Sequence, residues 1–167
     1  PNYRARMRTL LIGQSVVYAG AMYGLSTIWY DNLSGFRFFD DADEWLQMDK
    51  VGHVYTAYHI ARVSARGYRW AGKTEKQAAL YGALTGFIFQ TPIEIMDGLS
   101  PRYGFSVSDV VFNAVGSGLF AGQYALWGEE RITMKFSYHA TPFAAVRPTL
   151  LGDRWSDRWL KDYNGQT

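Results

Sequence analysis

Residues 74–93, TEKQAALYGALTGFIFQTPI, contain the pattern on which the fold prediction depends. Thr74 and Gln77 have the spacing of a capping box, in which a hydroxyl and a longer polar side chain bond the free amides at the start of a helix. An uncharged run follows, with Gly82 and Gly86 four residues apart on one helical face. Small residues at this spacing let two helix backbones approach closely. We therefore predict a helix over 75–91 that packs tightly on a neighbour and is ended or kinked by Pro92.

Two further uncharged runs have the same character. Residues 9–30 contain Gly20-x-x-x-Gly24, and residues 110–128 contain Ala114-x-x-x-Gly118-x-x-x-Gly122. Together these patterns predict an all-α fold, an antiparallel bundle of about four helices, three of them apolar and glycine-spaced. The predicted helices lie near 9–30, 42–66, 75–91 and 107–127. We expect a bundle domain over 1–128 and a tail over 129–167.

The apolar runs are also candidates for membrane segments. At about 1.5 Å per residue, residues 9–30 are long enough to cross a hydrocarbon core of roughly 30 Å, and the other two runs are near the lower limit. Hydrophobic residues make up 48% of the chain and charged residues only 19%, below the roughly 25% of ordinary soluble domains. Buried helices of a bundle outside the membrane are the alternative. We favour full or partial embedding and expect the membrane to be a partner.

Composition also excludes several classes of protein and site. A net charge of +2 without a long basic stripe argues against nucleic-acid binding. The absence of cysteine excludes disulfides, a thiolate nucleophile, a cysteine-ligated metal and a lipidated N-terminal cysteine within this chain. No HExxH helix, phosphate-binding glycine loop or nucleophile elbow is present. No cofactor is therefore identifiable, although one histidine with carboxylates could hold a divalent cation.

The tail has two short patterns of its own. Residues 132–139 alternate apolar and polar side chains, which is typical of a β-strand. Trp155 and Trp159 lie four apart among charged residues in 153–162, as in a short amphipathic helix. Nothing else in the chain resembles a partner strand. We therefore expect 132–139 and 153–162 to dock on a partner protein.

The connections between helices alternate in charge, so one end of the bundle should be acidic. Three predicted helix ends bring polar residues to it. Lysine near a helix start and acids near a helix end are both disfavoured by the helix dipole, so we expect them to pair. The predicted cluster contains Asp49, Lys50, His53, Glu94, Asp97, Asp109 and Asn113.

The order of these residues carries a family resemblance. Asp49-Lys50-x-x-His53, Glu94-x-x-Asp97 and Ser106-x-x-Asp109-x-x-x-Asn113-x-x-Gly116 resemble the YfiM-like family of predicted periplasmic lipoproteins. The first and last motifs are more distantly similar to the VanZ-like family of small helical membrane proteins. The resemblance covers about residues 45–125. It implies a gram-negative cell envelope, periplasmic or outer-membrane associated, and supplies no mechanism.

Two functional hypotheses remain open at this point. The first is a non-enzymatic envelope protein, a helical subunit or scaffold of a membrane-associated complex with a buried polar network. The second is a hydrolase-like enzyme that acts on an envelope lipid or cell-wall precursor. In the second, His53 is the acid or base, Glu94 and Asp109 are metal ligands or bases, and Lys50 binds an anion. The candidate catalytic residues are Lys50, His53, Glu94, Asp97, Asp109 and Asn113, and the candidate metal ligands are His53, Glu94 and Asp109.

Overall fold

Four long helices form most of the computed structural model, which describes residues 2–30, 32–42, 47–137, 142–154 and 158. The long helices are α1 Tyr3–Trp29, α2 Met48–Trp70, α3 Glu75–Gly98 and α4 Val107–Leu126. Two single turns, α5 Phe143–Val146 and α6 Pro148–Leu151, follow them. The predicted all-α bundle is confirmed. Within the described ranges the only β pairing is one isolated bridge, between Phe38 and Phe105.

Side-chain caps start three of the long helices. The Thr74 hydroxyl accepts from the Gln77 amide while the Gln77 side chain accepts from the Thr74 amide, so the predicted capping box is formed at α3. Ser106 accepts from the Asp109 amide over 3.1 Å at the start of α4. Asn2 caps α1 in the same way. Each cap satisfies an amide that has no partner within its helix.

Several helix boundaries differ from the prediction: α1 begins at Tyr3 rather than near 9, and α2 ends at Trp70 rather than near 66. Helix α2 begins at Met48 rather than near 42, because Gln47 has a left-handed φ of 61° that interrupts the helix there. Helix α3 continues through Pro92 to Gly98. Proline removes one backbone hydrogen bond but does not end the helix here, because the next turn is held in the bundle by the buried residues Glu94 and Gly98.

Helices α2, α3 and α4 pack closely through glycine. A Cβ atom on Gly82 or Gly86 of α3 would overlap the carbonyl oxygens of Ala61 and Ala57 in α2, as expected from the sequence. On α4 the contacting glycine is Gly116, which lies against the Val54 carbonyl. The apolar core that results is built from alanines and aromatic rings, namely Tyr58, Ala61, Ala65, Ala79, Ala83, Phe120 and Tyr124.

The other predicted glycine contacts are wrong. A Cβ on Gly20, Gly24, Gly118 or Gly122 would have no described atom within 4 Å. On α4 the face that carries Gly118 and Gly122 points away from α2, because Gly116 and Asn113 occupy the inner face. Glycine spacing alone therefore identified the correct inner face on α3 only.

Helix α1 lies against the side of the other three through a few specific contacts. Tyr18 stacks on Phe89 of α3 with ring centroids 4.3 Å apart. The Arg6 guanidinium donates to the Trp70 carbonyl over 3.2 Å, and Leu10 fills the space above Gly67. Much of α1 remains exposed: the side chain of Val17, for example, is 73% accessible.

None of the described helices is long and apolar enough to cross a membrane. The membrane spans suggested by the three uncharged runs, 9–30, 77–93 and 110–128, are therefore not found among the described helices. Contact with a membrane surface stays a prediction.

A partly buried polar network joins the segment after α4 to the bundle. Glu130 accepts from the Tyr58 hydroxyl over 2.7 Å and from Arg62 Nε over 2.8 Å. The Gln123 side chain bonds both the amide and the carbonyl of Ile132. We call Tyr58, Arg62, Gln123, Glu130 and the Ile132 backbone the Glu130 cluster.

This network corrects the strand prediction for the described part of 132–139. Residues 131–137 have no regular secondary structure. Side chains of α2 and α4 contact backbone amide and carbonyl groups that would otherwise pair with a neighbouring strand. His59 Nε2 lies 3.0 Å from the Met134 carbonyl in the same way. Residues 138–139, and most of the amphipathic helix predicted over 153–162, lie outside the described residues.

Candidate functional site

The polar residues predicted to share the acidic end do come together there. They lie at the start of α2, near the end of α3 and at the start of α4, as the alternating charges indicated. Lys50, Glu94, Asp109 and Asn113 are all buried, and Lys50 is only 2% exposed. Residues so polar are rarely found at this depth unless they pair with one another. We call Asp41, Asp49, Lys50, His53, Glu94, Asp109 and Asn113 the Lys50 cluster.

The Lys50 ammonium is surrounded by carboxylates. It lies 2.6 Å from Asp41 Oδ1 and 3.3 Å from Asp49 Oδ2, and it also bonds Asp109 Oδ1 at short range. Ser106 and Ser108 donate to the same Asp41 oxygen over 2.8 and 3.1 Å. The predicted pairing of Lys50 is confirmed, and it ties α2 to α4 and to the linker before α2.

Both ring nitrogens of His53 face polar partners. Nε2 lies 3.6 Å from Asp49 Oδ2 and 3.7 Å from Asp109 Oδ2. On the other side of the ring, Nδ1 lies 3.0 Å from Asn113 Oδ1 and 3.4 Å from Glu94 Oε1. One edge of the imidazole thus meets two aspartates, and the other meets an amide and a glutamate.

Glu94 is the most enclosed acid of the cluster. Its Oε1 accepts from Asn113 Nδ2 over 3.5 Å, whereas its Oε2 has no hydrogen-bond partner among the described residues. Burial raises the pKa of Glu94 to about 8, with the neighbouring carboxylates adding to the rise against the pull of His53. Burial therefore shifts Glu94 toward its protonated form, relative to an exposed glutamate.

Asp97 lies at the margin of the cluster and joins it to α1. Its Oδ1 accepts from the Tyr30 hydroxyl over 2.5 Å. Burial raises the pKa of Asp97 to about 6, and the carboxylates of Asp109 and Asp49 add to the rise, although the Tyr30 hydrogen bond and the charge of His53 lower it. Sequence reasoning placed Asp97 correctly but gave no sign of Tyr30.

Charges within the cluster shift the remaining groups in opposite directions. Burial alone would lower the pKa of His53, but Asp49, Glu94 and Asp109 outweigh it and raise the pKa to about 9. Burial opposes the shift at Asp49 too, where the contacts with His53 and Lys50 lower the pKa to about 2. Lys50 has its pKa raised above the usual lysine range by Asp109 and Asp41.

The residues whose ligand atoms could share one ion are not the same three that the sequence suggested, and a metal at this site stays a prediction. Among the described residues, Asp49, His53 and Asp109 offer ligand atoms that all lie within 4.8 Å of one another. Glu94 meets Nδ1 of His53, on the ring edge away from the two aspartates. The cluster can hold a cation through Nε2 and two carboxylates, or transfer a proton between His53 and Glu94.

Sequence reasoning missed three contributors. Asp41 was visible only as one of several acids in the linker before α2, and nothing distinguished it from Asp40 or Asp43. Gln90 donates to Asn113 Oδ1 over 3.4 Å, and its place one turn before Glu94 on α3 was the available signal. Ser108 had no signal beyond its proximity to the α4 cap.

Comparison with known proteins identifies a family and nothing more specific. A family model described as "Predicted periplasmic lipoprotein (DUF2279)" matches residues 35–125, more than half of the chain. No curated protein and no solved structure matches the chain. The matched range contains every residue of the Lys50 cluster, and the more distant VanZ-like relationship stays a prediction. This match agrees with the expected localisation in the gram-negative cell envelope, periplasmic or outer-membrane associated. The chain belongs to the DUF2279 family of predicted periplasmic lipoproteins.

Proposed function

We propose that this chain is a non-enzymatic envelope protein, a helical subunit or scaffold of a membrane-associated complex. The observation that carries the proposal is the outward face of α4. Val111 and Val115 are 51% and 49% exposed there, and Gly118 and Gly122 have no described atom within 4 Å of a Cβ position. A flat apolar stripe of small residues is the kind of surface on which a partner helix packs closely.

The interior of the protein supports the same reading. The three carboxylates around Lys50 connect α2, α4 and the preceding linker, so the cluster holds together the helices that present this face. Breaking such a buried pair by removing one partner is strongly destabilising. A rigid frame with an exposed docking face is what a scaffold requires.

The tail and the membrane belong to the proposal as additional contacts. Ile132 and Phe136 are about half exposed although the Ile132 backbone is bonded to Gln123. A partner meeting residues 132–139 would therefore contact side chains here rather than a free backbone edge. Docking through 153–162, contact with the membrane and a VanZ-like relationship are further expectations of this proposal.

Leucine substitutions test the docking face. Gly118→Leu should leave the melting temperature unchanged, because its Cβ has open space, yet it should release the chain from its complex. Native gel electrophoresis of mildly solubilised envelopes, with detection of this chain, measures the size of the complex. Gly13→Leu is the matched control, since Gly13 is equally open but lies on α1. A complex that survives Gly118→Leu and Gly122→Leu alike would contradict the proposal.

A hydrolase-like enzyme acting on an envelope lipid or cell-wall precursor is the second candidate. The unpartnered Oε2 of Glu94 beside His53 favours it, because a buried acid with a raised pKa next to a histidine suits proton transfer. Glu94→Gln and His53→Gln separate the two functions. A scaffold keeps its complex and its envelope phenotype when these variants fold, whereas an enzyme keeps its complex and loses the phenotype.

A further inference from the structure

We propose that Asp49, His53 and Asp109 bind a divalent transition-metal cation, and that Glu94 and Asn113 hold the histidine in the orientation that ligates it. The proposal concerns the Lys50 cluster itself and does not depend on whether the protein is a scaffold or an enzyme. It replaces the ligand set that the sequence indicated, since Asp49 takes the place of Glu94.

The distances suit a single ion. Nε2 of His53 lies 3.6 Å from Asp49 Oδ2 and 3.7 Å from Asp109 Oδ2. Ligand bonds of about 2.0–2.2 Å to nitrogen and oxygen place neighbouring ligand atoms roughly 3–4 Å apart. Asp49 and His53 lie one helical turn apart on α2, and Asp109 faces them from α4. The three side chains can therefore reach one ion without any movement of the backbone.

The far side of the His53 ring has the partners that a metal-binding histidine needs. Ligating histidines almost always donate their other N–H to a carboxylate or carbonyl group. Nδ1 of His53 lies 3.0 Å from Asn113 Oδ1, which also accepts from Gln90, and 3.4 Å from Glu94 Oε1. Both neighbours offer acceptor oxygens, so Nδ1 can donate a hydrogen to them when an ion is bound. Nε2, which faces the two aspartates, then offers its lone pair to the ion in place of a proton.

Glu94 lies on the edge of the His53 ring opposite the proposed ion. Its side chain is 1% exposed, and its Oε2 has no hydrogen-bond partner among the described residues although Oε1 faces His53 Nδ1. An unsatisfied buried polar atom is costly, so a water molecule or another small polar ligand beside Glu94 would stabilise the cluster.

The charges around Lys50 also favour a bound cation. Among the described residues, three carboxylates, those of Asp41, Asp49 and Asp109, face the ammonium of Lys50. A cation bound beside them therefore lies in a negative potential. Lys50 bonds Asp109 through Oδ1, while Oδ2 of Asp109 is the oxygen that faces His53. The ammonium and the ion therefore use different oxygens of Asp109.

The ligand types indicate which ions bind best. An imidazole with two carboxylates suits borderline ions such as Zn²⁺ and Mn²⁺ better than Mg²⁺, which prefers oxygen ligands alone. We expect affinity to follow the order Zn²⁺, Mn²⁺, Mg²⁺. The His53 side chain is 17% exposed and Asp49 is 29% exposed, so solvent and ions have access to this edge of the cluster.

Titration calorimetry of the chelator-stripped full chain with Zn²⁺ alone, and then with Mn²⁺ alone, tests the site. We expect one ion per chain and a higher melting temperature with metal. His53→Gln and Asp49→Asn should each weaken binding at least 100-fold, and Glu94→Gln should weaken it about 10- to 100-fold through the orientation of His53. His59→Gln is the matched control, because His59 is on the same helix but bonds the Met134 carbonyl.

Three results would overturn the proposal. They are no binding of Zn²⁺ at millimolar concentration, unchanged binding in folded His53→Gln, and equal weakening by His59→Gln. Cobalt absorption spectra give a second readout, because a His53 ligand should change the visible bands of bound Co²⁺ when it is replaced. None of these outcomes bears on the α4 docking face, so the two proposals fail separately.

Discussion

The bundle contains two polar networks, and they differ in how well their charges are matched. In the Glu130 cluster one carboxylate accepts from Tyr58, Arg62 and Thr133, and the pKa of Glu130 is lowered because these bonds outweigh the effect of burial. In the Lys50 cluster the acids outnumber the cations, and Glu94 and Asp97 have raised pKa values. The Glu130 carboxylate has hydrogen-bond donors at both oxygens, whereas Glu94 Oε2 of the Lys50 cluster has none among the described residues.

This difference indicates that the Glu130 cluster is a structural contact and that the Lys50 cluster is a candidate functional site. The Glu130 cluster fastens the segment after α4 to α2, and every described polar atom named in it has a partner. The Lys50 cluster also fastens helices, yet it keeps an unpartnered oxygen on Glu94 and an excess of carboxylates. Titratable groups with strongly shifted pKa values are concentrated at functional sites, although structural ion-pair networks shift pKa values too. Removing single charges from each network tests whether the contrast is real.

The largest expected effect is the loss of the central cation in each network. Lys50→Met leaves three carboxylates facing one another, and we expect it to lower the free energy of unfolding by about 3–5 kcal/mol. Arg62→Met should cost about 1 kcal/mol, because the Arg62 side chain is 26% exposed and water can replace it. Urea unfolding followed by circular dichroism measures both. Equal losses would remove the distinction between the networks.

Coupling within the Lys50 cluster should be nearly as large. A double-mutant cycle of Lys50→Met with Asp109→Asn should give an interaction energy of about 1–3 kcal/mol, because the two side chains are bonded directly. Lys50→Met with Glu130→Gln is the control pair and should be additive within about 0.5 kcal/mol. Additive behaviour of the first pair would contradict the contact on which the cluster is built.

Stability of the metal-free protein should depend on pH with one sign through Glu94 and Asp97 and with the opposite sign through Glu130, a sign that Asp49 shares. Glu94 and Asp97 have pKa values raised in the folded state, so their contribution is complete at low pH and falls as pH rises, to about pH 8 for Glu94 and about pH 6 for Asp97. The slope is at most about 1.4 kcal/mol per pH unit for each proton. Glu130 has a lowered pKa, so its contribution is present at neutral pH and is lost as pH falls below its unfolded value.

Thermal melts from about pH 2 to pH 9 check these signs, because the contribution of Glu130 is lost only in acid. Asp97→Asn should flatten the loss of stability toward pH 6, and Glu130→Gln should flatten only the loss in acid. A profile that Asp97→Asn leaves unchanged would show that Asp97 is not held in a desolvated environment.

The smallest expected effect is that of Glu94→Gln. The amide keeps the shape of the side chain and removes the ionisation that burial disfavours. We expect a change in the free energy of unfolding below about 1 kcal/mol at pH 6, shifting in favour of the variant by pH 9. A large loss at every pH would mean that the carboxyl group itself is a structural partner.

The sequence predicted the helices and the main polar cluster because both follow from local periodicity. Thr74 and Gln77 marked the start of α3, and the alternating charges of the connections placed Lys50 among the carboxylates of the acidic end, where the structure pairs it with Asp109. It failed where tertiary contacts decide between equal local patterns. Gly116 and Gly118 are both small residues of α4, and only the position of α2 determines which of them lies inside.

The tail shows the same limit in another form. The alternation after Ile132 is typical of a strand, but the side chains of Gln123 and His59 contact the backbone groups of Ile132 and Met134 that a strand would use for pairing. Pro92 likewise has the local chemistry of a helix end, and the buried turn around Glu94 overrides it. Asp41 could not be chosen among its acidic neighbours, since only the folded linker brings it to Lys50.

The bond between Lys50 and Asp109 also has a consequence for the order of folding. Its two residues are 59 positions apart, so the contact closes a long loop and carries a larger entropic cost than contacts between neighbouring helices. The adjacent helices α2 and α3 meet through Gly82 and Gly86 without such a loop. We expect this hairpin to form first and α4 to dock on it later, so that the charges of the Lys50 cluster are buried only in the last step, when all their partners have arrived.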